Sequence, residues 1–160
     1  MLFNPLPRVL NYGNPVNRTA PLNRGLSSWW KVLPQGQRAQ RLQDLAGRAT
    51  GSFVNSPAWS GLRPRAGRGS IKFTTASSNY VEFTANPSIN GTPFSVSGWV
   101  YPLTFSGNRT WFSIGTVSAT REALHLRIAS ATSFVFGMYN ADLTGTVPDM
   151  TAKWTHLAVT

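Results

Sequence analysis

Short runs of strand-forming residues recur along this chain with turn-forming residues between them, and that cadence most narrows the folds open to it. From residue 70 onward the runs are Ser70 to Thr75, Tyr80 to Thr84, Phe94 to Leu103, Thr110 to Ile114, Ala123 to Ala129, Ser133 to Tyr139 and Lys153 onward. They begin about ten to fifteen residues apart, bounded by some of the 14 Gly and 11 Pro of the chain. Within Phe94 to Tyr101, Phe94, Val96 and Val100 fall on one face, while Ser95, Ser97, Trp99 and Tyr101 fall on the other. No helical periodicity runs longer than about ten residues. With 41% apolar and 12% aromatic residues the 160-residue chain can build a core. The class expected is all-β, an antiparallel sandwich or jelly roll.

The N-terminal stretch has a different texture. Residues 1–25 mix four prolines with Asn4, Asn11, Asn14, Asn17 and Asn23, a composition that neither continues a helix nor donates regularly to a ladder. They are expected to form an extended arm, with the sandwich spanning 26–160. Leu26 to Val32, dense in strand formers, is the expected first strand. Residues 34–69 read as loop-rich, with one helical turn around Ala39 to Leu45 and short strands near Ser52 to Val54 and Ala58 to Ser60. The final run, Trp154 to Thr160, reads as a strand with no turn after it, so the chain is expected to carry the first part of a larger domain, incomplete at its C-terminus.

Charge divides the chain more sharply than hydropathy does. Residues 1–72 hold eleven basic side chains and one acid, Asp44, whereas in 73–160 four bases face four acids. Twelve of the fifteen bases are Arg, which forks onto carboxylates and phosphates. The densest run contains Arg63, Arg65, Arg68 and Lys72, the residues that would contact an anionic partner. Aromatic residues do not interleave it, which disfavours nucleic acid. There is no cysteine, hence no disulfide or thiolate metal site. Neither a signal peptide nor an apolar run long enough to span a membrane is present in the sequence, which leaves localisation open.

Five pieces in order resemble a laminin G-like domain of the concanavalin A-like lectin/glucanase superfamily. Gly25-Leu26-Ser27-Ser28-Trp29-Trp30 is similar to the opening strand of that family, and Asp44 to Gly51 to its aspartate-led turn. Ile71-Lys72-Phe73 with Asn79 to Phe83, then Phe94 to Val100, then Trp154 to Thr160 follow in the family order. The resemblance implies a two-sheet jelly roll with further strands beyond Thr160. It also implies a setting in a phage particle or bacterial surface assembly, hence on a virion or cell surface. In the pentraxin branch, similar in fold, an Asp-Asn pair binds calcium; the corresponding stretch here is Ala119-Thr120-Arg121-Glu122. Calcium takes about six to eight oxygen ligands, often several carboxylates. Only Glu122 offers one there, so the cofactor expectation is none, with calcium doubtful.

Hydrolysis of a glycan by this superfamily would need two carboxylates facing the scissile bond, about 5 Å apart for retention and further apart for inversion. No two of the five acids lie within four residues of each other, so a one-strand catalytic pair is absent from the sequence. Neither His125 nor His156 has a nearby Ser, Cys or acid in a triad-like arrangement, and His156 reads as a packed residue of its strand. Trp29, Trp99 and Trp154 read as core. Carbohydrate binding needs aromatic faces for C–H groups and polar groups for hydroxyls, placed on rim loops or a concave sheet. The loop Tyr139-Asn140-Ala141-Asp142 and the turn Arg121-Glu122 offer such groups, giving Arg121, Glu122, Tyr139, Asn140 and Asp142 as the candidate ligand-binding residues. The expected function is a non-catalytic recognition or adhesion module that binds carbohydrate, with a glycan or a neighbouring subunit as partner, as a homo-oligomer or part of a larger assembly. The alternative is a structural subunit whose Arg-rich half grips acidic partners or nucleic acid. Last comes a glycan hydrolase with its acids beyond Thr160.

Overall fold

The structure is a computed structural model that describes residues 26–30, 32, 41–46, 49–62, 69–83, 93–105, 109–115, 123–138 and 141–160. The extended arm expected over 1–25 lies outside them. The strands are β1 (Arg41–Leu42), β2 (Gly51–Val54), β3 (Ala58–Ser60), β4 (Ser70–Lys72), β5 (Tyr80–Phe83), β6 (Val96–Val100), β7 (Arg109–Ile114), β8 (Leu124–Ser130), β9 (Ser133–Met138), β10 (Ala141–Thr146) and β11 (Thr155–Val159). Among the described residues every strand pairing is antiparallel, and a single 3-10 turn, Thr75–Ser77, is the one helical element. The protein is all-β, as its alternation predicts. The strands divide between two compact units, Met1–Pro87 and Ser88–Thr160.

In the first unit β1, β2 and β5 form a three-stranded sheet in the order β1-β2-β5, and β3 pairs with β4. Phe53 is buried between exposed Ser52 and half-buried Val54, the period-2 pattern that makes Gly51–Val54 a strand. Its ring packs 5.1 Å from that of Trp59, and Trp30 packs 4.4 Å from Phe83. At the centre is Asp44, a carboxylate only 4% exposed. Its Oδ1 accepts from the backbone N–H of Trp29 and of Ala46, both at 2.8 Å, and its Oδ2 accepts from the N–H of Ala49 at 2.9 Å. The indole of Trp30 donates to the carbonyl of Ala49 at 2.8 Å. An ionised carboxylate bonded to several backbone donors tolerates burial that an isolated one would not.

This arrangement explains two departures from the sequence expectations. Over its described residues, the first strand expected from Leu26 to Val32 is reduced to one bridge, Trp30 to Asp44. There the N–H of Trp29 goes to the Asp44 side chain and its carbonyl to the N–H of Leu45, at 2.8 Å, so neither joins a longer ladder. The helical turn expected around Ala39 to Leu45 is not formed over its described part: Arg41 and Leu42 pair with Ser52 and Gly51, and Asp44 opens a turn instead.

The second unit is held by packing. β10, β9, β8 and β7 make a four-stranded sheet in that order, and β6 pairs with β11. Leu124, Leu126 and Ile128 of β8 are buried while His125 and Arg127 between them are only half-buried, so the strand turns one face to the core. Ile128, Met150 and Leu157 form a core cluster, with Val100, Phe105, Trp111, Phe134 and Val147 packed against it. Leu126 and Met150 are fully buried, each removing enough apolar surface to stabilise the fold by roughly 1.5–3 kcal/mol. A register shift between Thr110 and Phe112 leaves Trp111 as the extra residue of a bulge, and its ring lies over Gly98, where an added Cβ would come 3.0 Å from it.

Three expectations are corrected in this unit. Asp142, expected on a loop, lies on β10, because Ala141 to Thr146 pair residue by residue with Met138 to Ser133. Trp99 is 51% exposed rather than core, and Trp29 of the first unit is 43% exposed. His156, expected to be packed, is exposed, since its neighbour Leu157 takes the inward side of β11. No helix among the described residues is long and apolar enough to cross a membrane.

Candidate functional site

The face of the four-stranded sheet opposite the core begins as a consequence of register. His125 pairs with Gly137, and Gly137 with Asp142, so these three lie in one row across β8, β9 and β10. Arg127 lies two residues from His125 on β8 and shares its face. Side chains on β8 and β10 are two strand spacings apart, about 9–10 Å. A side chain between them would keep them from touching. Gly137 has none, and a Cβ built there would sit 2.5 Å from Asp142 Oδ1 and 2.6 Å from its Cα.

Across that gap the Asp142 carboxylate meets two partners. Its Oδ1 lies 2.8 Å from His125 Nε2, and its Oδ2 accepts from Nη2 of Arg127. The side chains are 13% exposed for His125, 22% for Arg127 and 33% for Asp142, so the group is open to solvent yet immobilised by its mutual bonds. Arg127 Nε is buried and has no hydrogen-bond partner among the described residues. Its guanidinium is therefore aimed by Asp142 at the cost of one unspent donor.

Hydroxyls share this face with the cluster, while the row next to it holds buried Val135 between Arg127 and Thr144. By register Thr144 and Thr146 of β10, Ser133 of β9, and Thr110 and Ser113 of β7 belong to the same face. Ser113 stands opposite His125, which produces a Ser–His–Asp order along one row. The imidazole, however, presents its Nε2 to Asp142, and no hydrogen bond joins Ser113 to His125 among the described residues. The nucleophile–base contact that acyl-transfer chemistry starts from is thus not made. What the face supplies is a fixed carboxylate, a fixed guanidinium and several hydroxyls, a set that suits a hydroxyl-rich ligand.

Of the residues singled out in the sequence, Asp142 alone among the ligand-binding candidates is described; Arg121, Glu122, Tyr139 and Asn140 lie outside the described residues. Arg63, Arg65 and Arg68 also lie outside them, while Lys72 is exposed at the end of β4, opposite Ala58. Sequence reasoning missed His125 and Arg127. The expectation that no acid is arranged to partner His125 is corrected, since Asp142, 17 residues away in sequence, is brought to it by the two hairpin steps β8-β9 and β9-β10. The available signal was the alternation Asp142, Thr144, Thr146, which marks a strand with a polar face rather than a loop. Among the described residues no group of three His, Asp or Glu is placed to hold a metal ion.

A laminin G-like family model described as the concanavalin A-like lectin/glucanases superfamily matches residues 74–160. This is more than half of the chain and takes in β5 to β11, though not the Asp44 turn. No curated protein and no solved structure matches the chain.

Proposed function

The chain belongs to the concanavalin A-like lectin/glucanases superfamily, and from that premise we propose that it is a non-catalytic recognition module that binds carbohydrate through its Asp142 face. Membership in the superfamily supports a carbohydrate-binding or adhesion role in general. The observation that carries the finer reading is the Asp142 carboxylate held across Gly137 by His125 and Arg127. A carboxylate already oriented loses little freedom when a ligand hydroxyl donates to it, so the ordering cost of binding is small. Each oxygen keeps lone-pair capacity beyond the bond it now accepts. Glycoside cleavage, by contrast, needs a second carboxylate facing the first across the bond.

Screening the protein against an array of neutral and acidic glycans tests this. Binding is expected to fall about ten-fold or more in Asp142→Ala, the loss of one charge-assisted hydrogen bond or two, with no release of reducing ends from any bound glycan. Glycan binding that Asp142→Ala leaves intact overturns the assignment of the site. A second reading has its own observation: net charge is concentrated in residues 1–72. In it the chain is a structural subunit of a phage particle or bacterial surface assembly, a setting that rests on resemblance, and Arg63, Arg65, Arg68 and Lys72 grip an acidic neighbour. Association lost with rising salt and on replacing those four residues, with no glycan bound, favours that reading.

A further inference from the structure

The four-stranded sheet has two ends, and they are guarded unequally. At the β7 end the strand begins with Arg109 and carries the Trp111 bulge, a charge and an irregularity that discourage another strand from pairing there. At the β10 end neither device is present: Ala141–Thr146 contains no Pro, Lys or Arg, and its register with β9 runs unbroken. The one charge of β10, Asp142, is already paired with Arg127 and His125. Among the described residues no strand pairs with the far side of β10.

Parity fixes what that far side offers. The N–H of Val147 bonds the carbonyl of Thr132 at 2.9 Å, directly after the facing pair Thr146 and Ser133. Bonded and non-bonded pairs alternate in an antiparallel ladder, so Ala141, Leu143 and Gly145 spend their backbone groups on β9, and Asp142, Thr144 and Thr146 point theirs outward. Register also puts Leu143 in one row with Phe136 and fully buried Leu126, on the face turned to the core, yet Leu143 is 73% exposed. The apolar face of the sheet thus runs one strand further than its cover.

We propose that β10 pairs antiparallel with β10 of a second copy of this chain, about a two-fold axis at Thr144, so that two four-stranded sheets become one. The occupant follows from the complementarity of the strand to itself in that register. Thr144 meets the partner's Thr144, and Asp142 meets the partner's Thr146, a hydroxyl donor opposite a carboxylate. All three outward-pointing residues then find backbone partners, with two bonds to each facing pair. On the core side Leu143 comes opposite the partner's Gly145, where the missing side chain leaves room for it, and the two-fold repeats that fit on the other side of the axis. The charges agree with the same register. The two Asp142 carboxylates stay four residues apart, about 14 Å along the strands, beyond the screening length at physiological salt. A slip to an axis at Leu143 would bring them to about 7 Å and leave Thr146 without a partner in β10. The pairing is short, below the roughly 1,200 Å² of a standard interface, so the dimer is weak, with a dissociation constant on the order of 10–100 μM. The proposal needs no bound glycan and does not rest on that reading.

Sedimentation velocity of the full chain from about 1 μM to about 1 mM, joined to amide hydrogen exchange read residue by residue, tests it. The expected result is a shift from monomer to dimer over that range that persists in about 0.5 M NaCl, because backbone pairing is not screened as ion pairs are. The N–H groups of Asp142, Thr144 and Thr146 should gain protection as concentration rises, whereas those of Leu143 and Gly145, bonded to β9, are protected throughout. Thr144→Pro deletes an N–H that points away from β9, so the sheet should stand while association weakens at least ten-fold. Leu143→Lys, at an exposed position, should weaken it similarly by placing a charge on the open edge. Should circular dichroism show that Thr144→Pro unfolds, Leu143→Lys decides the outcome. Trp99→Ala, at an exposed position on β6, should leave association unchanged. A chain that stays monomeric at about 1 mM overturns the proposal. So does association that survives in Leu143→Lys, disappears in Trp99→Ala or is abolished by salt, as contacts of the Arg-rich half would be. Outward amides protected equally at every concentration would show that another part of the same chain covers the edge, and would overturn it as well.

Discussion

The two units of this chain are specified by different physics. In Met1–Pro87 the described sheet pieces are short, and what joins the opening segment to them is a buried carboxylate with three backbone bonds. In Ser88–Thr160 a four-stranded sheet with alternating burial surrounds Leu126 and Met150, and polar groups stand mainly on its outer face. Hydrogen bonds are directional and hydrophobic burial is not, so the attachment of the opening segment depends on one residue and the second unit spreads its stability over many.

The sharpest way to break that comparison is Asp44→Ala. It removes the acceptor to which the N–H groups of Trp29, Ala46 and Ala49 donate, two of them on buried residues. At about 1.5–3 kcal/mol for each hydrogen bond to a charged group, the loss of the two on buried residues should cost the first unit about 3–4 kcal/mol. Hydrogen exchange resolved by segment checks it: protection should collapse over β1, β2 and β5 and survive in β8 and β9. Equal loss in both units would show that the units unfold as one and that the contrast is false. The reverse experiment is Leu126→Ala, expected to cost the second unit about 3 kcal/mol through the cavity it leaves, with little change in the first. A chemical denaturation curve with two separable transitions, each moved by one of these variants, is the expected form of the data.

What was legible in the sequence follows the same division. β8 and β9 could be read because Leu124, Leu126 and Ile128 alternate with His125 and Arg127, and packing obeys that alternation wherever one face is buried. The turn Asp44 to Gly51 was recognisable by resemblance, but the bonds that make it a knot run from Asp44 to Trp29, 15 residues away, and spacing alone does not reveal them. Leu26 to Val32 therefore looked like a strand by propensity while its backbone groups were committed elsewhere. The sequence places Tyr139 to Asp142 on a loop, because Asn and Asp favour turns; cross-strand pairing of Ala141 and Asp142 with β9 overrides that preference. The candidate site shared this fate. Asp142 was found through its chemistry, whereas His125 and Arg127 become its partners only through the order of three strands.

A third variant sharpens the contrast at the site itself. Gly137→Ala places a Cβ 2.6 Å from Asp142 Cα and 2.7 Å from the carbonyl oxygen of Ala141, both backbone atoms that cannot swing away. β10 must shift, at a cost of about 1–3 kcal/mol. The measurable signature is at His125, whose ring resonances should change as the Asp142 contact is lost, while the core resonances of Leu126 stay in place. Unmoved His125 signals would mean that the contact does not depend on the missing side chain.

The smallest expected effect concerns the turn after β10. The Asp149 carboxylate is held below its ordinary range, first by the backbone N–H of Thr151, at 2.9 Å, then by the Thr151 hydroxyl, at 2.7 Å, and further by Lys153. This turn carries Met150 into the core, where its N–H bonds the carbonyl of Ala131 at 2.8 Å, and its next residues lead into β11. A depressed carboxylate stabilises the fold above its unfolded-state pKa, near 4, and the contribution disappears as pH falls through the lower folded value. The stability difference between the protein and Asp149→Asn should therefore be present at neutral pH, begin to shrink below about pH 4–5 and vanish in stronger acid. Because the side chain is exposed and solvent screens its charge, the difference should be small and confined to the second unit. A difference that persists unchanged into strong acid would assign the role of Asp149 to the shape of its side chain rather than to its charge.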